Sequence, residues 1–244
     1  MVKNVLFISY DGLTDSLGQA QILPYLIGLS KKGHKIQILS CEKSENFKKN
    51  HTIVSQKCEE ANIGWNYIDY DNSIPVISSF FTVQKLKSEA LNIAKEFKIK
   101  VVHCRSIIPA MMGEVLQQKL GIKFIFDIRG FWADERVDGK IWNLKNPVYG
   151  FLYNYFKGKE KYLFKQVDCI VTLTENAKSY IQKEFITKNS FLVVPCCVDF
   201  EHFDYHKIKN EKVNELRATI GMPEGNYVLT YVRSIGTRYM LLEM

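Results

Sequence analysis

Two stretches of this chain gather side chains that could do chemistry. One, FDIRGFWADERVDGKIWN, crowds Asp127, Arg129, Asp134, Glu135, Arg136 and Asp138 around Trp132 and Trp142. Arginines in such a loop can hold a phosphate through paired N–H donors, and the carboxylates can take a proton or orient a sugar hydroxyl. The same charges could instead close a solvated loop by pairing with one another. The other stretch, SYDGLTDSLGQAQILPYL, leaves an apolar run and enters a helix whose first N–H groups, at Leu17, Gly18 and Gln19, could face an anion. Gly18 would then let a ligand approach the backbone, or else Gly12 and Gly18 only shape a turn and a cap. Their spacing is not G-x-G-x-x-G, and no Lys-Ser/Thr pair follows, so NAD and ATP lose their main support. Pro24 predicts a kink or a late helix start.

A third stretch, His103-Cys104-Arg105-Ser106, ends another apolar run and invites a Cys-His reading. Neighbours on a strand point to opposite faces, so His103 and Cys104 do not meet, and His103 reads as a satisfied structural histidine. His34, in the Gly-His turn before the next strand, reads the same way.

The elements that must position these residues alternate short apolar, β-branched runs with longer amphipathic stretches. That pattern predicts an α/β fold with a doubly wound, mostly parallel Rossmann-like sheet. Seven runs read as strands: Val5–Ser9, Lys35–Ser40, Trp65–Asp69, Val101–Cys104, Phe124–Ile128, Cys169–Leu173 and Phe191–Val194. Ligands in such sheets bind beyond the carboxyl ends of the strands, which is where Asp127 and Arg129 fall. One crossover helix is predicted from Val83, Leu86, Ala90, Ile93, Ala94 and Phe97 at three-and-four spacing. A second should follow Pro147, with Val148, Phe151, Leu152, Tyr155, Phe156, Tyr162 and Leu163 packed on the sheet and its lysines solvated or against an acidic membrane.

At 244 residues, with 46% hydrophobic and 24% charged, the chain can bury one substantial core, and it sits outside the composition of disorder. No apolar run is long enough for a membrane helix or a signal core, so a cytoplasmic location is expected. The six cysteines lack zinc-site spacing and read as reduced, mostly buried thiols. A net charge of +7 favours anionic partners, but no nucleic-acid-binding signature accompanies it. After Phe203 the texture turns polar and lysine-rich before a new strand at Tyr227–Val232, which places a domain boundary near 204 and divides the chain into 1–204 and 205–244.

Together, SYDGLTDSLGQAQILPYL, HCRS, FDIRGFWADERVDGKIWN, VPCCVDFEHF and YVRSIGTRYM resemble the bacterial family 4 glycosyltransferases of two-Rossmann (GT-B) architecture. The resemblance implies retaining transfer of a sugar from a nucleotide-sugar substrate, with no cofactor or bound metal. It further implies that 1–204 is the acceptor-side N-terminal domain and 205–244 the truncated start of the donor domain. Asp127 and Arg129 are then the expected catalytic residues. Gly18, Gln19, Arg105, Trp132, Glu135 and Arg136 are expected at the substrates, with Gly18 facing the donor diphosphate.

Relatives commonly hold the donor with two glutamates that have seven residues between them. No such pair occurs here, and Arg233 and Arg238 stand where relatives usually carry a glycine and an aromatic. The expected partners are therefore a saccharide or lipid-linked saccharide acceptor, an acidic membrane surface at the inner face, and a nucleotide-sugar only where a donor domain is supplied. The competing expectation is a non-catalytic module that docks on a membrane or on a companion chain.

Overall fold

Each of the seven apolar runs forms a strand, because a strand covered on both faces needs apolar side chains on both. The computed structural model describes residues 3–70, 77–185, 189–198 and 203–222. The strands are β1 (Asn4–Ser9), β2 (Lys35–Glu42), β3 (Ile63–Asp69), β4 (Val101–Arg105), β5 (Lys123–Asp127), β6 (Cys169–Thr172) and β7 (Ser190–Val193). They lie in the order β3-β2-β1-β4-β5-β6-β7, and every pairing is parallel. The chain thus reverses direction across the sheet between β1 and β4, the kind of switch point where ligands gather.

Helices α1 (Leu23–Lys31), α2 (Ser44–Glu60), α3 (Ile77–Glu96), α4 (Ile107–Leu120), α5 (Trp132–Asp138), α6 (Pro147–Gln166) and α7 (Glu175–Glu184) connect the strands. Strand alternation splits the core in two. Phe7, Ile36 and Ile38 face α1 and α2 and pack with Leu23, Leu26, Val54 and Cys58. Leu6, Ile8, Val102, Cys104, Phe124 and Phe126 face the other way, against Leu86, Ile107, Leu116, Leu163 and Ile181 of α3, α4, α6 and α7.

Pro24 does not start the helix late: the chain is already helical from Ser16, and a π-helical segment, Gly18–Ile22, leads directly into α1, which carries the proline in its first turn. The helix after Pro147 forms as expected, but only part of the expected apolar side packs: Leu163 is buried and Phe156 packs against the core, joined by the buried Glu160 and Phe164, while Val148, Phe151, Tyr155 and Tyr162 are exposed. Three cysteines, Cys41, Cys58 and Cys104, are buried; Cys196 and Cys197 are exposed, and all six are free thiols.

Backbone contacts divide the chain into two units, Met1–Pro195 and Cys196–Met244. In the second, the polar stretch after Phe203 contains α8 (Asn210–Thr219), which buries none of its residues. The strand expected at 227–232, Arg233 and Arg238 lie outside the described residues. Among the described residues no helix is long and apolar enough to cross a membrane, and no group of His, Cys, Asp and Glu could hold a metal ion.

Candidate functional site

The glycine-containing loop after β1 is pinned from below by Glu42, a buried carboxylate at the end of β2. Glu42 accepts hydrogen bonds from the Leu13 N–H (2.6 Å), the Thr14 N–H (3.1 Å), the Thr14 hydroxyl and the Ser40 hydroxyl (2.6 Å). Asp15 is held in turn by Lys43 at 2.6 Å and by the Asn46 amide. A Cβ on Gly12 would come within 2.8 Å of Glu42 Oε2, and one on Gly18 within 2.2 Å of the Gly12 carbonyl oxygen. Gly18 is therefore a glycine because two backbone segments touch there, which is the turn-shaping reading. The Gln19 N–H is also committed, donating to Asp15 O at 3.0 Å, while its side-chain amide donates to Thr14 O at 3.1 Å.

What this loop delivers to the sheet edge is Gln21. Its Oε1 accepts from Arg105 Nη2 at 3.2 Å and from Arg129 Nη2 at 3.1 Å, so one amide gathers two guanidinium groups from the ends of β4 and β5. Arg105 is buried and also faces Asp11, Nε to Oδ2 3.9 Å. Arg129 Nη1 stands 3.8 Å from Asp127 Oδ2, on whose other side lies His103 Nε2 at 3.5 Å. His103 and Asp127 are both buried, and neither His103 Nε2 nor Asp127 Oδ1 has a hydrogen-bond partner among the described residues. His103 is thus not the satisfied histidine expected from its position. It lies between the rings of Phe7 (4.8 Å) and Tyr25 (6.1 Å), and it belongs to the polar cluster. The Tyr25 phenol is raised above its ordinary value, first by desolvation, although the side chain as a whole stays exposed, and then by the charge of Asp127. His34 keeps a buried Nδ1 without a partner as well, away from this cluster.

Backbone strain marks the same edge. Ser106, directly after β4, has φ of 72°, and Arg129, just past β5, has φ of 54°. Non-glycine residues adopt such angles at a cost of order 1–3 kcal/mol and persist there when the surroundings fix them. The Ser106 N–H donates to Asp127 O at 2.8 Å, which ties the two strand ends together.

Beside Arg129 opens a pocket of about 470 Å³, lined among others by Phe131, Asp134, Glu135, Thr174 and Tyr180. Carboxylates and aromatic faces in one cavity suit the hydroxyls and the C–H face of a sugar. The Glu135 carboxylate lies over Gly130, where a Cβ would meet Oε1 at 2.0 Å. Trp132 and Arg136 do not line this pocket. The Arg136 guanidinium lies 4.1 Å over the Trp132 ring and 5.7 Å from that of Trp142, and its carbonyl accepts from the Ile141 and Trp142 N–H groups. The pair therefore packs the loop between α5 and α6. Asp134 reaches across to α6, accepting from the Tyr153 hydroxyl (2.8 Å) and Lys157 (2.7 Å). Burial alone would lower the Lys157 ammonium, but Asp134 and Glu160 push it up to about 12.

The structure thus brings Arg105, Asp127 and Arg129 into one cluster and places Glu135 on the adjoining pocket. Gly18 and Gln19 stay in the supporting loop, and Trp132 and Arg136 in the aromatic pack. Sequence reasoning missed Gln21, Tyr25, His103 and Asp11. The one available signal was the four-residue spacing of Gln21 and Tyr25, which puts both on one side of the helical segment.

This geometry, at the switch point of an all-parallel sheet, defines a Rossmann-like domain with a candidate site at the carboxyl ends of its strands. The chain belongs to Glycosyltransferase Family 4, whose model matches residues 25–202. Among curated proteins no match is found. Solved structures with the same α/β fold include a glycosyltransferase from Rickettsia africae (14% identity, TM-score 0.59) covering 92% of this chain and 51% of that one. A sucrose-phosphate synthase from Thermosynechococcus elongatus (13% identity, TM-score 0.61) covers 91% and 53%. HepE from Anabaena, solved with UDP and glucose (10% identity, TM-score 0.57), covers 90% and 50%. The chain therefore spans about half the length of these three solved chains, and their shared architecture is that of GT-B glycosyltransferases.

Proposed function

We propose that this chain supplies the acceptor-side half of a retaining, nucleotide-sugar-dependent glycosyltransferase acting on a saccharide or lipid-linked saccharide. The observation that carries this reading is the convergence of Arg105 and Arg129 on Gln21 beside an acid-and-aromatic pocket. In this reading the two guanidinium groups face an anionic group of a substrate, and the pocket takes the acceptor sugar with Glu135 accepting from its hydroxyls. Arg129 touches substrate. Asp127, more deeply buried and absent from the pocket wall, acts through it by fixing the guanidinium against the sheet edge. Retention rests on departure of the nucleotide from one face of the donor sugar with attack on that same face, so positive charge near the departing diphosphate matters most. The nucleotide-sugar comes from a partner Rossmann-like half, no cofactor takes part, and the reaction belongs at the cytoplasmic membrane face.

The test is sugar transfer to a panel of saccharide and lipid-linked acceptors, with this chain alone and with a donor-binding domain added. The expected result is turnover only in the second case, lowered about 10²–10³-fold by Arg129→Ala. Turnover by the chain alone overturns its assignment as a half. Acceptor binding that Arg129→Ala and Glu135→Gln leave untouched overturns the site, and no saccharide binding at all favours a non-catalytic docking module.

A further inference from the structure

The face of α6 turned away from the core is apolar. At about 100° per residue, Val148, Phe151, Tyr155 and Tyr162 fall within an arc of about 60°. All four are exposed, Phe151 at 70% and Val148 at 56%. Ile141 and Leu144, in the turn before the helix, are exposed too. The opposite side of the helix already makes the core contact through Leu163 and Phe164. An exposed apolar stripe of this kind on a helix marks a surface for a partner.

The charge around the stripe says which partner. Lys140, Lys145, Lys161 and Lys165 are exposed along the same segment. The single carboxylate between Lys140 and Lys165, Glu160, is buried and paired with Lys157 at 2.7 Å, so the exposed charges along that segment are cations, with Asp138 the one exposed carboxylate just before it. A second copy of this chain, itself +7, would meet that surface with like charge.

We propose that the outer face of α6 and the turn before it dock on an anionic lipid bilayer, with Val148, Phe151 and Leu144 entering the acyl boundary. The tyrosines then lie at headgroup level and the lysines against the acidic headgroups. Docking needs nothing from the glycosyl-transfer reading. Where that reading holds, it adds a consequence: α6 is tied through Tyr153 and Lys157 to Asp134 on the pocket wall, so the pocket opens about one helix diameter from the lipid surface. A lipid-linked acceptor would reach it without leaving the bilayer.

The experiment is co-sedimentation of the full chain with vesicles of phosphatidylglycerol and, separately, of phosphatidylcholine. Binding is expected to phosphatidylglycerol vesicles, to weaken with added salt, and to fall about tenfold or more in Val148→Asp/Phe151→Asp and in Lys161→Glu/Lys165→Glu. Both variants alter exposed side chains, and unchanged thermal melts verify that they fold. A wild-type chain that stays in the supernatant with both lipids overturns the proposal, as does an aspartate variant that pellets like wild type. A dimer in sedimentation velocity that the aspartate variant abolishes, without vesicle binding, assigns the face to a second copy. Retention on polyglutamate beads without vesicle binding assigns it to an acidic protein. Sugar transfer to a water-soluble acceptor in detergent is untouched by any of these outcomes, so a failure here is separable from a failure of the transferase reading.

Discussion

Gly18 and Gly28 lie on one continuous helical stretch and make opposite demands. A methyl at Gly18 meets backbone at 2.2 Å, whereas one at Gly28 meets nothing within 4 Å. Gly18→Ala is expected to cost about 1–3 kcal/mol in urea unfolding, since backbone must move to admit it. Gly28→Ala, in the interior of α1 and exposed, should instead add roughly 0.4–1 kcal/mol by restricting the unfolded chain. At the sheet edge, Gln21→Ala removes the shared acceptor of two arginines. Acceptor affinity is expected to fall about tenfold, with little change in melting temperature, as isothermal titration with a bound saccharide would show. The positions of Arg105, Asp127 and Arg129 were legible because strand ends are legible. Gln21 was not, because its two contacts bridge sequence separations of 84 and 108 residues that no local pattern carries.

Helix α4 reaches β5 closely only because Gly113 has no side chain: a Cβ there would lie 2.3 Å from the Phe124 ring, which is fully buried. Gly113→Ala should lower stability by about 1–3 kcal/mol, and denaturant melts would register it as a lower midpoint at unchanged slope. At the opposite end of the sheet from the site, Asp168 accepts from the Phe124 N–H at 2.9 Å, the Gln117 amide at 3.2 Å and Lys123 at 2.6 Å. Partial burial raises its carboxyl, but the Lys123 and Phe124 hydrogen bonds outweigh that and hold it below the ordinary range. A carboxylate depressed in the folded state stabilises above its unfolded pKa and loses that contribution as pH falls through its folded one. Asp168→Asn should therefore melt a few degrees lower at neutral pH, and melts repeated toward acid should converge with wild type below the usual carboxylate range. Strand ends were legible to within two residues, as β1 and β4 show, whereas the crossover helix read from Val83 begins at Ile77. The face of α6 was not, because a three-and-four apolar stripe says that a helix has two sides and is silent on which one the sheet takes. Leu163, expected there, and Phe164 took the sheet, and Glu160 came with them, buried and paired with the partly exposed Lys157.

For the molecule as a whole, the acceptor-half reading makes a direct thermal prediction. UDP, GDP, ADP and their sugars should leave the melting temperature unchanged, whereas a ligand at a hundred times its dissociation constant would add about 2.7 kcal/mol. A cooperative shift with one nucleotide would place a usable donor surface on this chain and overturn the reading. The α/β class was legible throughout, since buried parallel strands write themselves as apolar runs, and the described strands leave no antiparallel pair. The two-sided core also has a temporal meaning. Among the described residues, the cluster on the α1 and α2 side draws only on the stretch from Phe7 to Trp65, while the one on the other side runs from Leu6 to Phe191. A chain emerging from the ribosome can therefore close the first hydrophobic layer over β1, β2 and β3 before β4 exists, leaving the far edge of β1 as a template. Pulse-labelled amides in β2 and β3 should become protected ahead of those in β5 and β6, so that the switch point where the site forms is also the seam between an early and a late folding step.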